Sequence, residues 1–136
     1  MPLGNPSGGA GYAAEFQSSG LPWLTSSVAP ASPNPVKIPF AMVTRFIHVT
    51  NLNGTGGNNL QMGVTYNGMK STTQNVVTIL PGQSLYLEWR CCAVFLQGVG
   101  GTANYSLGVG LTTIPVQNFP LLTGSAADGT NWPGVG

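Results

Sequence analysis

Between residues 40 and 114, apolar and polar side chains alternate in a pattern that restarts several times along the chain. Leu60, Met62, Val64 and Tyr66 fall on one side, with Gln61, Gly63, Thr65 and Asn67 on the other. A period of two is that of a half-buried strand. Asn67-Gly68 then reads as the two-residue turn of a tight hairpin. Gln74 to Leu80 is rich in β-branched residues and ends at Pro81-Gly82, a natural turn pair. Next, Leu85, Leu87, Trp89 and Cys91 oppose Tyr86, Glu88 and Arg90. Beyond the turn Gly98-Val99-Gly100-Gly101, Ala103, Tyr105, Leu107, Val109 and Leu111 oppose Asn104, Ser106, Gly108, Gly110 and Thr112. Upstream, Phe40 to Leu52 forms one long strand closed by the Gly/Asn loop at 53–58. No window carries a helical period. The pattern predicts an all-β domain, an antiparallel jelly-roll-like sandwich of about six to eight strands.

Proline marks the expected limits of that domain. Ten of the 11 prolines lie outside residues 40–114, and proline lacks the donor that a sheet ladder uses. The expectation is a Gly/Pro/Ser-rich extended arm over residues 1–37, a sandwich over 38–114 and a second extended arm over 115–136. Aromatic residues are frequent in both arms, unlike in a disordered linker. Phe16, Trp23 and Leu24 before the sandwich, and Phe119, Leu122 and Trp132 after it, are therefore candidate anchors that dock into a neighbouring protein.

Charge alters the picture most. Four basic and three acidic residues make 5% of the chain, where about 25% is ordinary. A net charge of +1 with no basic cluster does not support nucleic-acid binding or attraction to an anionic membrane. The longest apolar run, Cys91 to Leu96, is far short of the roughly 20 residues of a membrane-spanning helix. Soluble monomers guard strand edges with charge, and this chain has little to place there. Its neutral surface suits burial against copies of itself or another protein.

The chemical inventory is equally sparse. His48 is the only histidine and Glu88 the only carboxylate of the middle region, so no Ser-His-Asp triad or carboxylate pair can be assembled there. A Cys-His pair between His48 and Cys91 or Cys92 is the one nucleophilic arrangement the residues allow on paper. No metal-ligand spacing is present, and no cofactor is expected. Cys91 and Cys92 are adjacent in a strand-like run and point to opposite faces, which suits two reduced thiols. The first residues, Met1 to Pro6, lack the charged and apolar regions of a secretory signal, so synthesis in the cytoplasm is expected. Arg45, Glu88 and Arg90 are few enough to suggest a specific task, and an intersubunit ion network is the sharper expectation for them.

The runs Val43-Thr44-Arg45-Phe46-Ile47-His48-Val49-Thr50-Asn51, Gly63-Val64-Thr65-Tyr66-Asn67-Gly68, Leu80-Pro81-Gly82-Gln83-Ser84 and Tyr105-Ser106-Leu107-Gly108-Val109-Gly110-Leu111 resemble small β-sandwich virion proteins of tailed bacteriophages. The nearest type is the capsid decoration or cement protein, and the likeness spans about residues 38–114. It implies a non-enzymatic virion subunit. Such a subunit is a homotrimer whose partner is the major capsid protein or another virion protein, with arms laid over capsomer seams. The alternatives are a tail, collar or head-fibre component, and a carbohydrate-binding adhesive module in which Trp89, Tyr66 or Tyr86 stacks on sugar rings.

Overall fold

A computed structural model describes residues 21–70 and 74–118 of the chain, and structural statements below concern those residues. Eight strands build two four-stranded antiparallel sheets. They are β1 (Leu21–Ala29), β2 (Val36–Pro39), β3 (Met42–Asn51), β4 (Asn59–Gly63), β5 (Val77–Ile79), β6 (Ser84–Leu87), β7 (Ala93–Val99) and β8 (Ala103–Pro115). One sheet, here sheet A, has the order β1-β8-β3-β6, and sheet B has the order β2-β7-β4-β5. The pairs β1·β8, β2·β7, β3·β6 and β4·β5 nest inside one another and alternate between the sheets. That nesting is one long antiparallel hairpin rolled up, the jelly-roll arrangement of a β-sandwich.

The alternation of the sequence sets the two faces of each strand. Ile47, Val49, Leu107 and Val109 of sheet A meet Leu60, Met62, Val94 and Leu96 of sheet B in a dry core. Residues 21–37, expected as part of an arm, belong largely to the sandwich instead. β1 pairs with β8 along its whole length, and β2 pairs with β7. Proline density misplaced the boundary because β1 and β2 are both edge strands, where a missing N–H is tolerated. At the other limit, β8 runs on to Pro115, which lies opposite Met42, and a short 3₁₀ turn follows at Val116–Asn118.

Three other expectations shift. Asn67-Gly68 is not a hairpin turn. β4 ends at Gly63, and Asn67–Met69 forms a 3₁₀ turn, braced where the Gly68 N–H donates to Thr65 Oγ1 at 3.0 Å. This turn folds over the outer face of sheet B and sets Met69 Sδ where a Cβ on Gly63 would stand. The strand read over Gln74 to Leu80 shortens to Val77–Ile79, and β6 stops at Leu87, ahead of Trp89. The Pro81-Gly82 turn forms as read, with Gly82 at φ +78° and the Gln83 N–H donating to Leu80 O.

The loops at 30–35, 52–58, 80–83 and 100–102 gather at one end of the roll, where asparagines tie the last three together and Gly98 holds the first through Pro30 O and the Ser32 N–H. Asn51, fully buried, donates to the carbonyls of Asn58 and Ile79, each at 3.0 Å, and accepts from the Asn53 N–H at 3.0 Å. Asn58 donates to Thr102 O, and Asn53 Oδ1 accepts from the Asn104 N–H. At the opposite end, the 88–92 connection is held by a register break in β3. Thr44 Oγ1 donates to Trp89 O at 2.6 Å and accepts from the Cys91 N–H at 3.0 Å, completing contacts that no strand partner makes there.

Candidate functional site

The outer face of sheet A is the most distinctive surface of the described chain. Strand register sets its residues in rows across the sheet. Val28 lies beside Asn104; Ser26, Ser106, Thr50 and Ser84 form a second row; Leu24, Gly108, His48 and Tyr86 a third; Pro22, Gly110 and Phe46 a fourth. No lysine, arginine, aspartate or glutamate occurs in any row. The Thr50 and Ser84 hydroxyls bond each other at 2.7 Å. Phe46 lies flat over Gly110, where an added Cβ would stand 2.2 Å from the ring, and it stacks on Tyr86 with centroids 5.5 Å apart. Beside them, Leu24, Ser26, His48 and Gly108 border a shallow groove of about 480 Å³.

The charged residues sit elsewhere. Lys37 lies on the outer side of sheet B, and Lys70 stands over the Tyr66 ring on the segment that covers that sheet. Arg45, Glu88 and Arg90 meet at the end of the roll near the 88–92 connection. The link between them runs through the main chain, since the Arg90 guanidinium donates to the carbonyls of Arg45 and Glu88. Glu88, Trp89, Arg90 and Cys91 also line a cleft of about 600 Å³ with Asn75 and Met62.

Of the candidate anchors, Phe16, Phe119, Leu122 and Trp132 lie outside the described residues. Trp23 and Leu24, neighbours in sequence, part company. Trp23 turns inward and packs edge-on against Phe40 at 5.4 Å, part of the protein's own core. Leu24 points outward and is 77% exposed. The aromatics weighed for sugar stacking are likewise dispersed: Tyr86 on sheet A, Tyr66 over sheet B against Phe95, and Trp89 in the end cleft. The role of Thr44 escaped the sequence because its bond partners lie 45 and 47 residues away.

His48 stands on the exposed outer face, while Cys91 is buried in the core, so the two do not form a nucleophilic pair. Burial pushes the Cys91 thiol from 9.0 up to about 11, partly offset by its contact with Thr44. Neutral pH leaves it protonated and a poor nucleophile. An unfolded chain ionises this thiol near its ordinary value, whereas the folded state keeps it neutral. The stability it confers is therefore complete below pH 9 and is lost as pH rises toward about 11. Thermal melts between pH 8 and 11 should fall more steeply for the wild type than for Cys91→Ala. Equal slopes would contradict the assignment.

Among the described residues, no group of three or more His, Cys, Asp or Glu side chains is placed to hold a metal ion. No helix among them is long and apolar enough to cross a membrane. No protein-family model and no curated protein sequence matches the chain.

Proposed function

We propose that this chain is a structural virion protein, a decoration or cement subunit that docks as an oligomer on a phage head and bridges its capsomers. The observation that carries the reading is the charge-free outer face of sheet A, whose exposed Leu24, Val28 and Tyr86 sit among hydroxyls and glycines. A free surface with so little charge favours association, whereas in a shell it is covered by neighbours. The jelly roll agrees with this, as an architecture that recurs in viral capsid domains; it recurs in lectins too, so the surface rather than the fold decides. Many weak contacts, linked through an oligomer and a lattice, hold such a subunit by avidity.

The test is co-sedimentation with purified heads assembled without the chain, taken from the phage whose genome carries it. The full chain is expected to pellet with the heads and to saturate at a fixed ratio to the major capsid protein. Retention in the supernatant would overturn the proposal. Removing only residues 1–20 then separates binding by the N-terminal segment from binding by the sandwich.

A further inference from the structure

We infer that β1 is a self-pairing edge, and that two copies of this chain join sheet A to sheet A through antiparallel β1 strands about a two-fold axis at Ser26. The inference stands on edge chemistry and holds whether or not the chain belongs to a virion.

Four strands end the two sheets: β1 and β6 in sheet A, β2 and β5 in sheet B. Three are blunted. β6 and β2 have four residues each, β2 also carries Lys37 and Pro39, and β5 has three residues. β1 has nine residues, Leu-Pro-Trp-Leu-Thr-Ser-Ser-Val-Ala, none charged. A long uncharged edge is an open template for another strand.

The hydrogen-bond directions show which backbone groups are on offer. The Leu52 N–H donates to Asn104 O, so Asn104, Ser106 and Gly108 of β8 direct their backbone groups toward β3. Tyr105, Leu107 and Val109 are left to serve β1, where they face Ser27, Thr25 and Trp23. Leu24, Ser26 and Val28 therefore turn their N–H and C=O groups away from the sheet. Pro22 has the same parity, and at that position its missing N–H breaks no bond to β8. Among the described residues, these outward groups have no strand partner.

A strand is the occupant those groups fit, and a second β1 fits by register. With the axis at Ser26, Leu24 lies opposite Val28 of the second copy, and Ser26 opposite Ser26. Each such pair exchanges two N–H···O bonds. Leu24 and Val28, 77% and 50% exposed in the single chain, cover each other on the outer face. Pro22 falls beyond the ladder. With no charge on β1 or on the rows beside it, no repulsion opposes the approach. The contact is isologous and closes at two copies, rather than the three that the resemblance implies.

Sedimentation velocity on the full chain tests this. The wild type is expected at twice the 14.0 kDa of one chain. L24K/V28K sets lysines opposite each other and should sediment as a monomer, with an unchanged circular dichroism spectrum because both positions are exposed. L24K/V28E places the new lysine at 24 against the new glutamate at 28 and should restore the dimer. A monomeric or trimeric wild type, or a dimeric L24K/V28K, overturns the inference. A monomeric L24K/V28E overturns the register.

Discussion

A chain that lacks residues 1–29 should not fold. That truncation removes β1, whose nine residues pair with β8 from Leu111 to Ala103. It strips Trp23 from Phe40 and deletes Ala29, which is fully buried. It also uncovers one side of β8, where Tyr105, Leu107 and Val109 would be left with unpaired backbone groups. Trp23 is partly buried, so its loss costs less than the about 3–5 kcal/mol of a fully buried aromatic, but the nine-residue ladder and Ala29 go with it, and a small domain has only about 5–15 kcal/mol in total. Near-UV circular dichroism and a cooperative thermal melt distinguish the outcomes. A cooperative melt from the 30–136 fragment would show that β1 is an accessory to the sandwich rather than part of it. Removing the whole expected arm, residues 1–37, would take β1 and part of β2 with it and test folding rather than docking, so the boundary for a binding experiment must lie before residue 21.

That boundary shows what was legible in the chain and what was not. Period-two alternation placed Ile47 and Val49, and Leu107 and Val109, on inner faces before any register was known, because each strand carries its own inside and outside. The sandwich was readable for the same reason. Pro22 was misleading, because composition does not say whether a strand lies at an edge or in the centre of a sheet. Asn67-Gly68 misled differently. Its local preference for a hairpin lost to another local contact, the Gly68 N–H bond to Thr65 Oγ1, and to the packing of Met69 against Gly63. The charge deficit was plain from counting, but the placement of the few charges away from one face was not. Lys37, Arg45, Lys70, Glu88 and Arg90 are scattered along the sequence, and only the strand order reveals that none of them enters the four rows of sheet A. Leu24 was singled out as an anchor together with Trp23. Alternation separates the two, since adjacent strand residues face opposite ways.

Asn51→Leu should be among the most damaging single substitutions in the described chain, although it replaces a polar side chain with an apolar one of similar size in a buried position. Asn51 ends β3 where the loops at 52–58 and 80–83 meet β5. Its amide donates to Ile79 O and Asn58 O, and its carbonyl accepts from the Asn53 N–H. Asn58 O keeps a second donor in Asn53 Nδ2, so its loss is partial. Ile79 O and the Asn53 N–H lose the side-chain partner they have in Asn51, and Ile79 is only 2% exposed. A buried group left unpaired costs about 1–3 kcal/mol, and two such groups with the loosened loop amount to about 3–4 kcal/mol. For a chain of this length that is a fall in melting temperature of roughly 10 °C. Asn51→Asp should do at least as much harm, because it removes both donors and buries a charge. Asn58→Ala is the comparison. Its bond to Thr102 is solvent-exposed, and its loss should cost about 1 kcal/mol. Parallel thermal melts of the three variants at neutral pH decide the matter. An Asn51→Leu variant that melts within a degree or two of Asn58→Ala would mean that the 52–58 and 80–83 loops hold together without the Asn51 side chain.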